Sequence, residues 1–161
     1  MGNPLSREDM QAIRDALEPL MIRHDYQRRD ATWHRFNSEL IRIFDFQAGT
    51  FRQKAYFNLA FVVRARDDST RPEIHDCSVH GRLDLLVPDL EHYELATNFA
   101  EPGMTQDERV SYIVRMTETI VLPFHEVMDT VAELGKFLSS SQAKGFRIKE
   151  SAKKVLREKM E

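Results

Sequence analysis

TWHRFN (Thr32–Asn37), SELIRIFDFQ (Ser38–Gln47) and KAYFNLAFVVR (Lys54–Arg64) are the runs that decide how this chain reads. Each is rich in β-branched and aromatic residues, and the last two alternate in polarity along their length. The turn at Asn37-Ser38 and the connection AGTFRQ (48–53) make them three consecutive antiparallel strands. In the register this spacing suggests, Phe46 faces Ala55, Phe44 faces Phe57, Arg42 faces Leu59 and Leu40 faces Phe61. Trp33 then lies across from Arg42, and His34 from Ile41. Side chains alternate across a strand, so two unequal faces result. One carries Phe44, Phe57, Leu59 and Phe61 and is a plain hydrophobic core. The other mixes Ile41, Ile43 and Val62 with Asp45, Gln47, Tyr56 and Asn58.

Further along, residues 77–87 (CSVHGRLDLLV) read as a fourth strand. Val79, Leu83, Leu85 and Val87 fall on one face; His80, Arg82 and Asp84 fall on the other. Before it, residues 65–76 (ARDDSTRPEIHD) are polar, contain Pro72 and read as a loop. Tyr26–Asp30 reads as a charged connection.

Helical patterns flank this sheet. Ser6 is placed to cap a helix over about 6–24, with Met10, Ile13, Leu17, Leu20 and Met21 on its apolar stripe and Pro19 as an internal breaker. Thr105-Gln-Asp-Glu108 is a capping box, the clearest helix start in the chain. From there an apolar face runs from Val110 to Leu134, interrupted at Pro123, which predicts two helices or one kinked one. Residues 147–160 form a charged, weakly amphipathic helix with Ile148, Ala152, Val155, Leu156 and Met160 as its stripe. It reads as the segment least tied to the core. The expected architecture is α+β: a single antiparallel meander of about four strands, with the N-terminal helix and the C-terminal helices packed on it. Residues 1–145 form one domain and 146–161 a charged helical extension through which two copies could join.

Composition narrows the function classes. A chain of 161 residues with 42% hydrophobic and 30% charged residues suits one globular domain. No run of about 18 apolar residues is present to span a membrane. The first ten residues lack the basic flank and apolar block of a secretory leader. The net charge of −3 and the absence of an undiluted basic stripe argue against nucleic acid as a partner. Cys77 is the only cysteine, which excludes an internal disulfide and a CxxC pair. Together these features predict a cytoplasmic protein.

No motif for catalysis or cofactor binding stands out. His75, Cys77 and His80 lie close in sequence, but in a strand His80 points away from the other two, and no zinc-finger spacing is present. Neither a nucleophile elbow nor a phosphate-cradling glycine motif occurs. The expectation is no metal, no cofactor and no catalytic residue, although Asp45 and Asp84 could lie on one face, with Arg82 on the strand of Asp84, as a structural ion pair or, less commonly, as acid and base. The candidate binding residues are those of the mixed face: Asp45, Gln47, Tyr56, Asn58, Arg64, His80, Arg82 and Asp84. Three uses compete for them: a network covered by the N-terminal helix, a protein-binding surface rich in Tyr and Arg, or a small-ligand or hydrolase pocket.

The order of Leu20–Tyr26, Arg29–Phe36, Ile41-Arg-Ile-Phe-Asp-Phe-Gln47, Phe57-Asn-Leu59 and Cys77 followed by Arg82-Leu83 resembles a bacterial family of short α+β domains of unknown function. The likeness covers about residues 10–135. It implies a bacterial, cytoplasmic, non-enzymatic protein. Small acidic proteins of this sort are frequently immunity proteins, so a toxin domain is the expected protein partner.

Overall fold

The computed structural model describes residues 5–49, 53–64 and 77–160, with the side chains of 159 and 160 left aside. The 65–76 segment, His75 within it, and residues 50–52 of the strand connection lie outside the described residues. The chain is α+β, as its sequence predicts, but the sheet has six strands rather than about four. They are β1 (Gln27–Arg29), β2 (Thr32–Phe36), β3 (Leu40–Ala48), β4 (Ala55–Val63), β5 (Val79–Arg82) and β6 (Arg147–Ile148). All neighbours are antiparallel, and the spatial order follows the chain order.

The two added strands sit at the two edges. β1 replaces the expected charged connection; its three polar residues are all exposed, so no burial pattern marks it in the sequence. Asp25 and Asp30 on either side of it have positive φ, at 65° and 54°, a conformation Asp tolerates better than most residues. β6 takes the first two residues of the run that reads as helix.

Both predicted hairpin registers are off by two residues. Phe46 pairs with Phe57, Phe44 with Leu59, Arg42 with Phe61 and Leu40 with Val63, while Trp33 pairs with Phe44 and His34 with Ile43. Trp33 therefore stacks on Phe44 and Phe46 rather than lying across from Arg42. A slip of two residues keeps every side chain on its face, whereas a slip of one would have exchanged them. The division into two faces stands for that reason.

The described helices are α1 (Arg7–Arg23), α2 (Leu90–Thr97), α3 (Gln106–Met116), α4 (Leu122–Val127), α5 (Val131–Leu138) and α6 (Glu150–Met160). Ser6 and Thr105 each close a full capping box, with Asp9 and Glu108 respectively. Pro19 sits inside α1 without ending it. At Pro123 the helix runs on: a five-residue π-helical stretch, Thr117–Val121, links α3 to α4 and places the proline in the first turn of α4. The chain breaks instead at Met128, and Thr130 caps α5.

The apolar residues of these helices pack on one face of the sheet. Ile13, Leu17, Leu20 and Met21 of α1 meet Trp33, Phe44, Phe46 and Phe57, joined by Tyr93 of α2 and Ile113 and Met116 of α3. A second cluster joins Leu40, Phe61, Val63 and Val79 to Val131, Leu134 and Phe137 of α5 and Ala152, Val155 and Leu156 of α6. Ala152, Val155 and Leu156 of α6 are thus buried inside the chain, and β6 is hydrogen-bonded to β5. These contacts tie the C-terminal segment to the core, contrary to the loose attachment its charge suggests.

The fourth strand is shorter than expected. It ends at Arg82 and passes into a 3₁₀ turn, Leu83–Leu85, so Leu83 stays buried while Leu85 is 42% exposed. Gly81 in this strand has a packing reason. A Cβ there would lie 2.6 Å from the ring of Phe146, which packs edge-on against Phe137. Gly81→Ala is expected to lower stability by about 1–3 kcal/mol as that ring is displaced; urea denaturation measures it, and an unchanged midpoint would show that the ring moves freely.

Candidate functional site

The second sheet face carries residues of alternate parity from every strand. Ile41, Ile43, Ala60 and Val62 are buried there with Cys77 as a third cluster, and Phe36 packs against it. Cys77 is thus a buried group within an apolar setting. No described helix contributes to this cluster, so cover by the N-terminal helix, one of the three competing uses of this face, is not what the fold provides: α1 packs on the opposite face.

Five of the eight candidate residues converge at one end of this face. Gln47, Asn58, His80, Arg82 and Asp84 line a groove of about 460 Å³, together with Arg147 of β6. Cross-strand pairing explains the convergence: Arg82 lies opposite Asn58, and His80 opposite Arg147. Tyr56 borders the same patch. It pairs with Gln47 across β3, and the Arg82 guanidinium lies 4.3 Å from its ring centroid, a cation–π contact. The ring also covers Gly49, where a Cβ would meet it at 2.7 Å.

The other two candidates have separate settings. Asp45 is buried opposite Asn58 and accepts a hydrogen bond of 3.3 Å from the Thr32 hydroxyl. Arg64 follows the far end of β4 and donates to the carbonyl of Asn37 at 2.6 Å, bracing the β2–β3 turn. Asp84 and Asp45 are therefore set differently, one on the groove and one buried among strands.

Arg147 was not among the residues singled out in the sequence, because it sits in a run that reads as helix. Its pairing with His80 brings it to this face, and no local pattern announces a two-residue strand.

Two further constellations escaped the sequence reading. A second groove, about 1140 Å³, lies between α2 and α3 and is lined by Asp89, Glu91, Glu94, Glu101, Asp107 and Glu108, among others. Several of these carboxylates already serve local structure. Asp89 caps α2 through the His92 amide, Glu108 completes the box with Thr105, and Glu94 pairs with Lys54 at 2.8 Å. Beneath the groove, Arg109 is buried and donates to the carbonyls of Leu95, Asn98 and Glu101, holding the end of α2 to the following turn. Asp89, Glu91, Asp107 and Glu108 sit at helix starts, where the helix dipole stabilises carboxylates.

The second constellation is internal. His125 of α4 is fully buried, and its Nδ1 lies 2.6 Å from the Tyr26 hydroxyl. Arg42, also buried, donates to the His125 carbonyl at 2.9 Å and reaches Asp129 at 3.2 Å. Burial, reinforced by the Arg42 and Arg35 charges, holds the imidazole neutral and lowers its pKa to about 3. Burial likewise raises the Tyr26 phenol above its ordinary value. The cluster couples β1's start, β3 and α4, and it faces the helical side of the sheet.

Among the described residues no group of three or more His, Cys, Asp and Glu side chains is placed to hold a metal ion. None of their helices is long and apolar enough to cross a membrane.

Against known families, the sequence matches the model of a domain of unknown function, DUF4304, over residues 17–126. That span includes all eight candidate residues and leaves Arg147 outside it. No curated protein matches, and no solved structure does.

Proposed function

Because the chain belongs to the DUF4304 family, whose description supplies no activity, we propose from its own geometry that it is a non-enzymatic protein-binding module. The observation that carries this reading is the Arg82 guanidinium seated over Tyr56 beside the polar groove. Tyr and Arg at the centre of a patch are the residue types that dominate the energetics of protein interfaces. A held guanidinium also loses less freedom when a partner docks, because part of its ordering is already done.

The partner class we propose is a bacterial toxin domain, with the chain acting in the cytoplasm as the matching immunity protein. The net charge of −3 and the small size of the chain fit that role, and the family resemblance suggests it. A stoichiometric inhibitor needs a stable surface rather than a reaction centre, and the patch sits on sheet strands anchored to the large core.

The test is a paired capture. The wild-type chain and a Tyr56→Ala/Arg82→Ala variant, each immobilised, are exposed to extract of the native host. A protein held by the wild type and lost on the variant, whose expression is toxic alone and harmless when the chain is co-expressed, is the expected result. A partner retained equally by the variant, or one without toxicity, overturns the reading.

A further inference from the structure

The groove beside Tyr56 holds two guanidiniums and one carboxylate. Arg82 and Arg147 both line it, and both are exposed. Since His80 pairs with Arg147, and Arg82 lies two residues beyond His80 on β5, the two arginines are diagonal neighbours on one face. Such neighbours have Cα atoms about 7–8 Å apart, within reach of a single bound group. Among the described residues neither has an ion pair, in contrast to Arg28, Arg35 and Arg42, each of which has its carboxylate. Like charges set this close favour an anion between them.

Two neutral amides complete the lining. Gln47 is exposed at the rim. Asn58 is only 9% exposed, and its Nδ2 has no hydrogen-bond partner among the described residues. The remaining lining charge, Asp84, offsets one of the two arginines. With His80 neutral the lining is left net positive, and the buried Asp45 carboxylate opposite Asn58 lies behind it.

We propose that this groove is a carboxylate-binding site, in which Arg82 and Arg147 grip the two oxygens of a carboxylate and the exposed Gln47 amide supplies a further donor at the rim. Planar guanidiniums suit carboxylates because paired N–H groups meet paired oxygens. The carboxylate comes either from an acidic side chain or chain end of a protein partner, or from a small free carboxylic acid. Its place in partner recognition rests on the protein-binding reading above; its binding of the group itself does not.

The experiment uses the full chain with acetate, succinate and an acidic tetrapeptide as probes, each followed by amide chemical shifts at constant ionic strength. Saturable shifts at Gly81, Arg82 and Arg147 are expected, and Arg82→Gln and Arg147→Gln should each weaken them by about tenfold while the amide spectrum of the folded chain is otherwise retained. Tighter binding of the tetrapeptide than of succinate assigns the source to a partner chain, and the reverse assigns it to a free acid. No saturation by any probe, the same response to chloride, stronger binding of inorganic phosphate, or indifference to both substitutions overturns the proposal. Carboxylate binding that survives while host capture fails would separate this site from the proposed partner.

Discussion

Lowering the pH from 7 to 5 is expected to remove about 2 kcal/mol of stability through His125 alone. In the folded chain its pKa lies at about 3, because the ring is buried and faces the positive charges of Arg42 and Arg35. In the unfolded chain it returns to an ordinary value near ~6.5. Below that value the unfolded state takes up a proton that the folded state refuses, so stability is fully present above it. It falls with pH down to the folded pKa and levels off below. Tyr26, the other titratable group in contact, keeps its proton throughout this window, since burial raises its pKa. The check is urea denaturation of the wild type and His125→Gln at pH 7 and pH 5. The variant starts from a lower stability, but the acid-induced loss should be smaller in it by the stated amount. Equal losses in both proteins would show that the folded state accommodates the imidazolium.

The largest single loss is expected at Phe57. Its ring stacks on Phe44 at 5.8 Å and on Phe46 at 5.7 Å between centroids, and it is fully buried where the sheet meets α1. Phe57→Ala leaves a cavity bounded by two aromatic rings of β3, which cannot close without moving the sheet. About 3–5 kcal/mol is the expected cost, a large share of the roughly 5–15 kcal/mol that holds a domain folded. Val127→Ser, at a position 59% exposed, should change stability by no more than about 0.5 kcal/mol. Urea midpoints compared at constant slope make the measurement. A Phe57→Ala loss no larger than that at Val127 would mean the aromatic stack carries no stability.

The contrast between faces was legible in the sequence because alternation depends only on parity. Phe44, Phe57, Leu59 and Phe61 stayed on the core side through a two-residue error in pairing. The pairing itself depends on the turn, and the turn residues offered no short hairpin signal; the strands in fact run on to the Ala48–Ala55 pair. Edge strands were illegible for a different reason. Gln27–Arg29 buries nothing, and Arg147–Ile148 is too short to show a period. Leu85 was misplaced because a strand period was carried through the 3₁₀ turn at Leu83, where successive side chains no longer alternate. The buried His125–Tyr26 contact joins residues 99 apart in sequence, and nothing local in either segment announces it. For the candidate site, the mixed face was readable but its division was not: the groove needs Arg147, and only the assembled sheet brings it there.

That late arrival of β6 makes the groove a clasp. Arg82 and Arg147 are supplied by adjacent strands, yet the chain between them winds through α2, α3, α4 and α5 before returning. The two-residue β6 is held to β5 by few backbone bonds, reinforced where the Lys149 amide donates to the Ser78 carbonyl at 2.9 Å. Whatever bridges the two arginines fastens the end of the chain to its middle, and through that pairing fastens all the helices wound between. Occupancy of so small a site would therefore be felt by the whole molecule as thermodynamic linkage, raising its melting temperature with ligand concentration rather than stiffening one edge alone.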